Sequence, residues 1–166
     1  MRRPSAPAES RPRGTARFDR SGTYRYALTR QWDRALPRVC FVLLNPNTAD
    51  ASHDDPTIRR CIGFARRWGF GSLEVVNLFA LRCRHPKDLT KASDPVGPRN
   101  GAAIARAVAR AQRVVFGWGV HGELAGRGAA VARQLAASTP LCLGRTQGGH
   151  PRHPLYVRAD REPVPF

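Results

Sequence analysis

Four short apolar runs, spaced by helix-length segments, restrict this 166-residue chain to very few folds. They are Val39 to Leu44, Leu73 to Phe79, Arg113 to Trp118 and Leu141 to Leu143. A continuous apolar run of this kind marks a strand covered on both faces. Between the first two lies a helix opened by Asp54-Asp55-Pro56-Thr57, a carboxylate cap followed by a proline in the first turn. Ile58, Cys61, Ile62, Ala65 and Trp68 make its inner face, and Gly69 ends it. A polar loop from Arg82 to Pro98 precedes a second helix, Asn100 to Ala111, and a third spans Gly128 to Ala137. The order βαβαβαβ predicts an α/β fold of three layers, a four-stranded parallel central sheet with helices on both faces. Thr23 to Trp32 alternates Tyr24, Tyr26 and Leu28 with Arg25 and Arg30, as a half-exposed edge strand does. The segment from Leu155 to Phe166 offers one more short strand, Leu-Tyr-Val.

In an open parallel sheet the carboxyl ends of the strands face one crevice, where ligands bind. Each run ends in residues that a packed core does not need. The first stops at Asn45-Pro46-Asn47, and the second carries Asn77, an amide inside an apolar run. A buried amide is costly unless its hydrogen bonds are met. The third ends in Gly117-Trp118-Gly119, and the fourth leads to His150-Pro151-Arg152-His153-Pro154. These strand ends are expected to converge on one pocket.

The formal charge of +16 is extreme for this length, and only Lys87 and Lys91 among the 28 basic residues are lysines. Arginine suits planar, bidentate recognition of phosphate, so nucleic acid or a nucleotide is the expected partner. A coding bias toward arginine is the plainer alternative. No run reaches the roughly 20 apolar residues that a membrane span needs, and no membrane partner is expected. Residues 1 to 17 hold Arg, Pro and Ser without an apolar segment. They read as a disordered basic tail rather than a secretory signal, before a single domain over 18 to 166. A cytoplasmic monomer is expected. Cys40, Cys61, Cys83 and Cys142 lie far apart without a C-x-x-C pair, so neither disulfides nor a metal cluster is expected. Nothing in the chain asks for a cofactor.

The run Leu44-Asn45-Pro46-Asn47-Thr48-Ala49-Asp50-Ala51, with Asp54 to Cys61 and Val76-Asn77-Leu78-Phe79-Ala80 downstream, resembles a bacterial family defined only as domain of unknown function 1643. The resemblance covers about residues 22 to 158 and brings no activity. More remotely, the order of strand-end motifs is similar to the uracil-DNA glycosylase superfamily. One branch of that superfamily ends a strand in Gly-Ile-Asn-Pro-Gly, which Phe41 to Asn47 resembles at the Asn-Pro step. A Leu-Trp-Gly turn and a His-Pro-Ser-Pro loop of the superfamily resemble Gly117-Trp118-Gly119 and the two His-Pro pairs here.

That resemblance implies a DNA glycosylase-like hydrolase of the same fold. Asn45 would hold the attacking water, Asn77 would read a base edge, and His150 or His153 would bond the departing base. Pro46, Asn47, Trp118 and Arg152 would complete the substrate-binding wall. Thr48 and Ala49 stand where the superfamily carries a stacking aromatic, and Arg152 interrupts the His-Pro loop; both departures bear on the substrate. Asp50 has no capping role in the pattern and is the candidate general base. The plainer alternatives are a loop cap for Asn45, an amide satisfied by backbone for Asn77, helix capping for Asp54 and Asp55, and core packing for Trp118. His53 and the later histidines lack the spacing of a metal site. Two functions stay open, base release from nucleic acid or a nucleotide, and non-catalytic binding of modified bases or single strands. A small-molecule hydrolase or transferase on the same fold is a third.

Overall fold

The computed structural model of the protein describes residues 11 to 166. Its strands are β1 (Arg13–Phe18), β2 (Arg25–Gln31), β3 (Arg38–Leu43), β4 (Ser72–Asn77), β5 (Arg113–Phe116), β6 (Leu141–Cys142) and β7 (Val164–Pro165). They form one sheet in the order β1-β2-β4-β3-β5-β6-β7. The strands of the four apolar runs pair in parallel. The hairpin β1–β2 adds antiparallel strands on one side, and β7 closes the other, also antiparallel. The sheet is therefore mixed and seven-stranded, not the four-stranded parallel sheet that the apolar runs alone predict.

Three further expectations are corrected. Residues 13 to 17 are not tail but most of β1, while residues 1 to 10 lie outside the described residues. An edge strand is held by its backbone ladder and needs little apolar mass; Thr15 and Thr29 add a hydroxyl pair across it at 2.6 Å. Gly14 is required there, since a Cβ would collide with the Ala51 carbonyl and the Arg30 guanidinium. Because β1 covers it, β2 is an inner strand, and Arg25 and Arg30 are buried rather than solvent-facing. Leu155 and Tyr156 lie in a 3-10 turn, Pro154–Tyr156, and the last strand is β7 instead.

The helices are α1 (Pro56–Arg67), α2 (Asn100–Ala109) and α3 (Arg127–Gln134). Asp55 caps α1, its carboxylate accepting from the Ile58 amide at 2.9 Å. Ile58, Cys61, Phe64 and Ala65 pack on Val39, Phe41, Leu73 and Val75 on one sheet face. Ile104 and Ala107 of α2 and Val131 of α3 pack on Cys40, Val42, Val76 and Phe116 on the other. Alternate residues of β3 thus feed two cores, which is why that strand reads as continuously apolar. None of the four cysteines is bridged, and all but Cys83 are buried. Among the described residues no helix is long and apolar enough to cross a membrane.

Candidate functional site

The carboxyl ends of β3, β4 and β5 and the loop after β6 open into a cavity of about 420 Å³. Backbone and amide ties hold these ends together. The Asn45 Nδ2 donates to the Cys83 carbonyl at 2.9 Å, joining the end of β3 to the loop after β4. The Gly119 amide donates to the Pro151 carbonyl at 2.9 Å, joining the turn after β5 to the histidine loop. At Gly117 a side chain would press on Leu43 at 3.0 Å and on the Pro154 ring at 3.2 Å, so the close approach of that loop needs glycine.

Of the residues singled out from sequence, Asn45, Asn47, Asn77, Trp118, Arg152 and His153 share the wall of this cavity. Pro46, Asp50 and His150 are not in it. Asn45 spends its amide donors on Pro46, Cys83 and their loop, which leaves its Oδ1 as an acceptor without a partner among the described residues. Asn77, at the end of β4, is buried; its Oδ1 lies 3.5 Å from Arg25 Nη2, while its Nδ2 has no acceptor among the described residues. Trp118 is buried against Phe116 and Phe166, with ring centroids at 4.5 and 6.0 Å, so most of its indole serves the core.

His153 is set by its own turn. Its Nδ1 accepts from the Leu155 amide at 3.2 Å. A ring that accepts at Nδ1 is neutral and carries its proton on Nε2, so it can only donate there. Burial lowers its pKa, with the Asp55 charge opposing weakly. The neutral form therefore persists below the ordinary 6.5, and protonation is disfavoured in the fold. Since the unfolded chain binds that proton first, stability is lost as pH falls through 6.5 and below. Proton NMR of the imidazole should place the His153 midpoint below 6.5, and a midpoint at or above it would contradict this ring geometry.

Asp50 is turned into its own loop. Its carboxylate accepts from the Ser52 and His53 amides at 2.9 and 2.8 Å. Those donors hold it well below the usual carboxylate range, which suits an Asx turn and weakens it as a base. Arg30 ties the same loop from beneath, with Nε on Asp54 at 2.8 Å and Nη2 on the Asp50 and His53 carbonyls. His150 Nε2 instead lies 3.5 Å from Glu123.

Several wall residues were not anticipated as site residues, among them Arg25, Asp55, Arg84, His121 and Tyr156. Arg25 was hidden because a charge in an alternating strand reads as its solvent side. Asp55 joins the wall while capping α1. Tyr156 is 80 % exposed, with its ring 5.5 Å from His153, and supplies an aromatic at the mouth that the first loop lacks. Among the described residues no group of three His, Cys, Asp or Glu is placed to hold a metal ion.

The layering and the strand-end cavity define the class, an α/β protein with a polar pocket built from amides, a neutral histidine and a buried arginine. The chain belongs to the family described as protein of unknown function DUF1643, whose model matches residues 25–155. That span takes in β2 and runs through the His-Pro loop, so it covers the cavity. No curated protein and no solved structure matches the chain.

Proposed function

We propose that the protein is uracil-DNA glycosylase-like in fold and receives an extruded base of nucleic acid, or a nucleotide's base, in this cavity to release it hydrolytically. The observation that carries this reading is the meeting of Asn45, Asn77 and a neutral His153 in one wall, brought there from three strand ends. Water adds to C1′ of the sugar, the N-glycosidic bond breaks with its electron pair leaving on the base, and the proton that the water sheds ends on the departed base. Negative charge then builds on the base oxygen, and a fixed donor aimed at it favours the transition state over the ground state. His153 Nε2–H is that donor, Asn45 Oδ1 holds the water, and Asn77 reads the base edge. Tyr156 stacks on the flipped base at the mouth. A panel of oligonucleotides bearing different damaged or modified bases, scored for base release, tests the reading; release of none of them would sink it.

A non-catalytic binding module has one observation in its favour. Among the described residues Asp55 is the only carboxylate in the wall, and it already holds the α1 amide. Among the described residues no carboxylate free of a structural role is then at hand to activate water.

Both readings share a nucleic-acid partner. Two shallow hollows adjoin the cavity at the turn Pro154–Tyr156. One is lined by Arg59, Arg60 and Arg67 and meets the cavity at Leu155; the other is lined by Arg145, Arg158 and Arg161 and meets it at Tyr156. Arginines gathered beside the cavity in this way suit a phosphate backbone running past it. Affinity for single- or double-stranded DNA should fall by more than about tenfold between roughly 50 and 200 mM salt, through counterion release. Arg59→Gln with Arg161→Gln should flatten that salt dependence by about one unit of slope per lost phosphate contact. Salt-independent affinity, or none at low salt, would remove nucleic acid as the partner.

A further inference from the structure

The two buried arginines of β2 differ in how they are partnered. Arg30 binds the Asp54 carboxylate and three carbonyls. Arg25 is 2 % exposed and lies in the cavity wall. Its Nη1 donates to the Ala49 carbonyl at 2.9 Å, its Nη2 reaches Asn77 Oδ1 only at 3.5 Å, and its buried Nε has no acceptor. A guanidinium offers five N–H donors, so most of them have nothing to bind among the described residues.

No carboxylate touches it either, among the described residues. Arg25 makes no ion pair among the described residues; Asp55 acts on it only through its field, while Arg30 and Arg82 add positive charge nearby. Burial pushes its pKa down to about 10, which still leaves it cationic at neutral pH. A buried, uncompensated charge is strongly unfavourable for folding. Such a group in a pocket is a candidate for ligand contact.

We propose that the Arg25 end of the cavity is a subsite for an anionic oxygen group, with the ligand supplying the counter-charge that the protein withholds. A phosphate, a carboxylate and an ionised ring oxygen share this chemistry, since each presents the acceptors that a guanidinium fork fits. Asn77 Nδ2, beside it, adds a donor of the same polarity. The subsite holds whether or not the cavity cleaves a glycosidic bond.

Calorimetric titration of the full chain at neutral pH, with four ligands, decides the matter. Inorganic phosphate, acetate and 5-nitrouracil are anions under those conditions, and uracil is the neutral ring. At least one anion should bind roughly tenfold or more tightly than uracil, as a charge-assisted contact would give. Arg25→Met should lose that preference, and Arg25→Lys should keep part of it. The unliganded Arg25→Met protein should also melt at a higher temperature than the wild type, because an unpaired buried charge has been removed. An arginine with a purely structural role would move the midpoint the other way. Phosphate or acetate binding without 5-nitrouracil assigns the subsite to a ligand's phosphate or carboxylate, and leaves the base reading without support. The reverse pattern assigns it to an ionised base. Binding of no anion, or an anion preference that survives Arg25→Met, overturns the proposal. Should Arg25→Met not fold, the wild-type comparison of anions with uracil decides alone.

Discussion

Replacing His153 by alanine is expected to slow base release by on the order of 10²–10³ while leaving substrate affinity nearly unchanged. The imidazole is fixed by the Leu155 amide at Nδ1, so in the proposed reaction its Nε2–H would meet the departing oxygen without reorganisation. Such a bond is strongest when charge has moved onto the base, and it therefore appears in turnover rather than in binding. Asn45→Ala should act in the same direction by releasing the positioned water, whereas Asn77→Ala should broaden the set of bases accepted. Two aspartate variants separate the possible bases. Asp50→Asn should keep the shape of the pH profile, because its oxygens serve the loop amides. Asp55→Asn keeps a competent helix cap while removing the charge, so a sharp fall in rate there would identify Asp55 as the base. Single-turnover rates on a confirmed substrate check all of these. Wild-type rates throughout would place the chemistry elsewhere, and a wild-type protein without turnover would favour the binding module.

Replacing Arg110 by alanine is expected to destabilise the fold by about 3 kcal/mol, a large share of the stability of a domain this size. Glu74 of β4 is 1 % exposed, and Arg110 Nη2 lies 2.6 Å from its carboxylate. Its other partner, Arg38, stands off at 3.4 Å. Loss of Arg110 leaves a buried carboxylate with one long contact, which is why the lower end of the cost of breaking a buried pair applies. The reverse change is milder, because both arginines are partly exposed and return to water when Glu74 is removed. Arg110→Ala combined with Glu74→Leu should recover most of the loss, since a well-packed apolar residue replaces a buried ion pair at little cost. Denaturant midpoints of the two single variants and the double variant measure this coupling. Additive losses would mean that the pair does not act as a unit.

The parallel strands and the helix between the first two were legible because each carries a two-faced or one-faced apolar pattern. Asp55 was legible as a cap because a carboxylate before Pro56 has few other uses. The flanking strands were hidden for two different reasons. β1 is Arg-Gly-Thr-Ala-Arg-Phe, with no apolar pattern to mark it, and β7 is only two residues long. Arg25 and Arg30 then read as a solvent face, whereas the loop at residues 49 to 54 binds both of them. At the site, the strand-end rule located Asn45, Asn77, Trp118 and His153. It could not rank His150 against His153, because that choice rests on a backbone amide two residues away. Tyr156 was missed because a 3-10 turn has no periodicity to read.

The antiparallel strand β1 has a consequence for how the molecule meets its neighbours. It occupies the edge beside β2, and its exposed positions are Arg13, Thr15 and Arg17. Charged side chains on a short edge discourage strand addition by another chain. A chain beginning after Phe18 would retain every residue in the cavity wall, yet it would present the backbone of β2 as a bare template beside the Arg30 guanidinium that Gly14 adjoins. Self-association would then draw in the strand that carries Arg25, and the pocket would be lost through aggregation rather than through any change in its own residues.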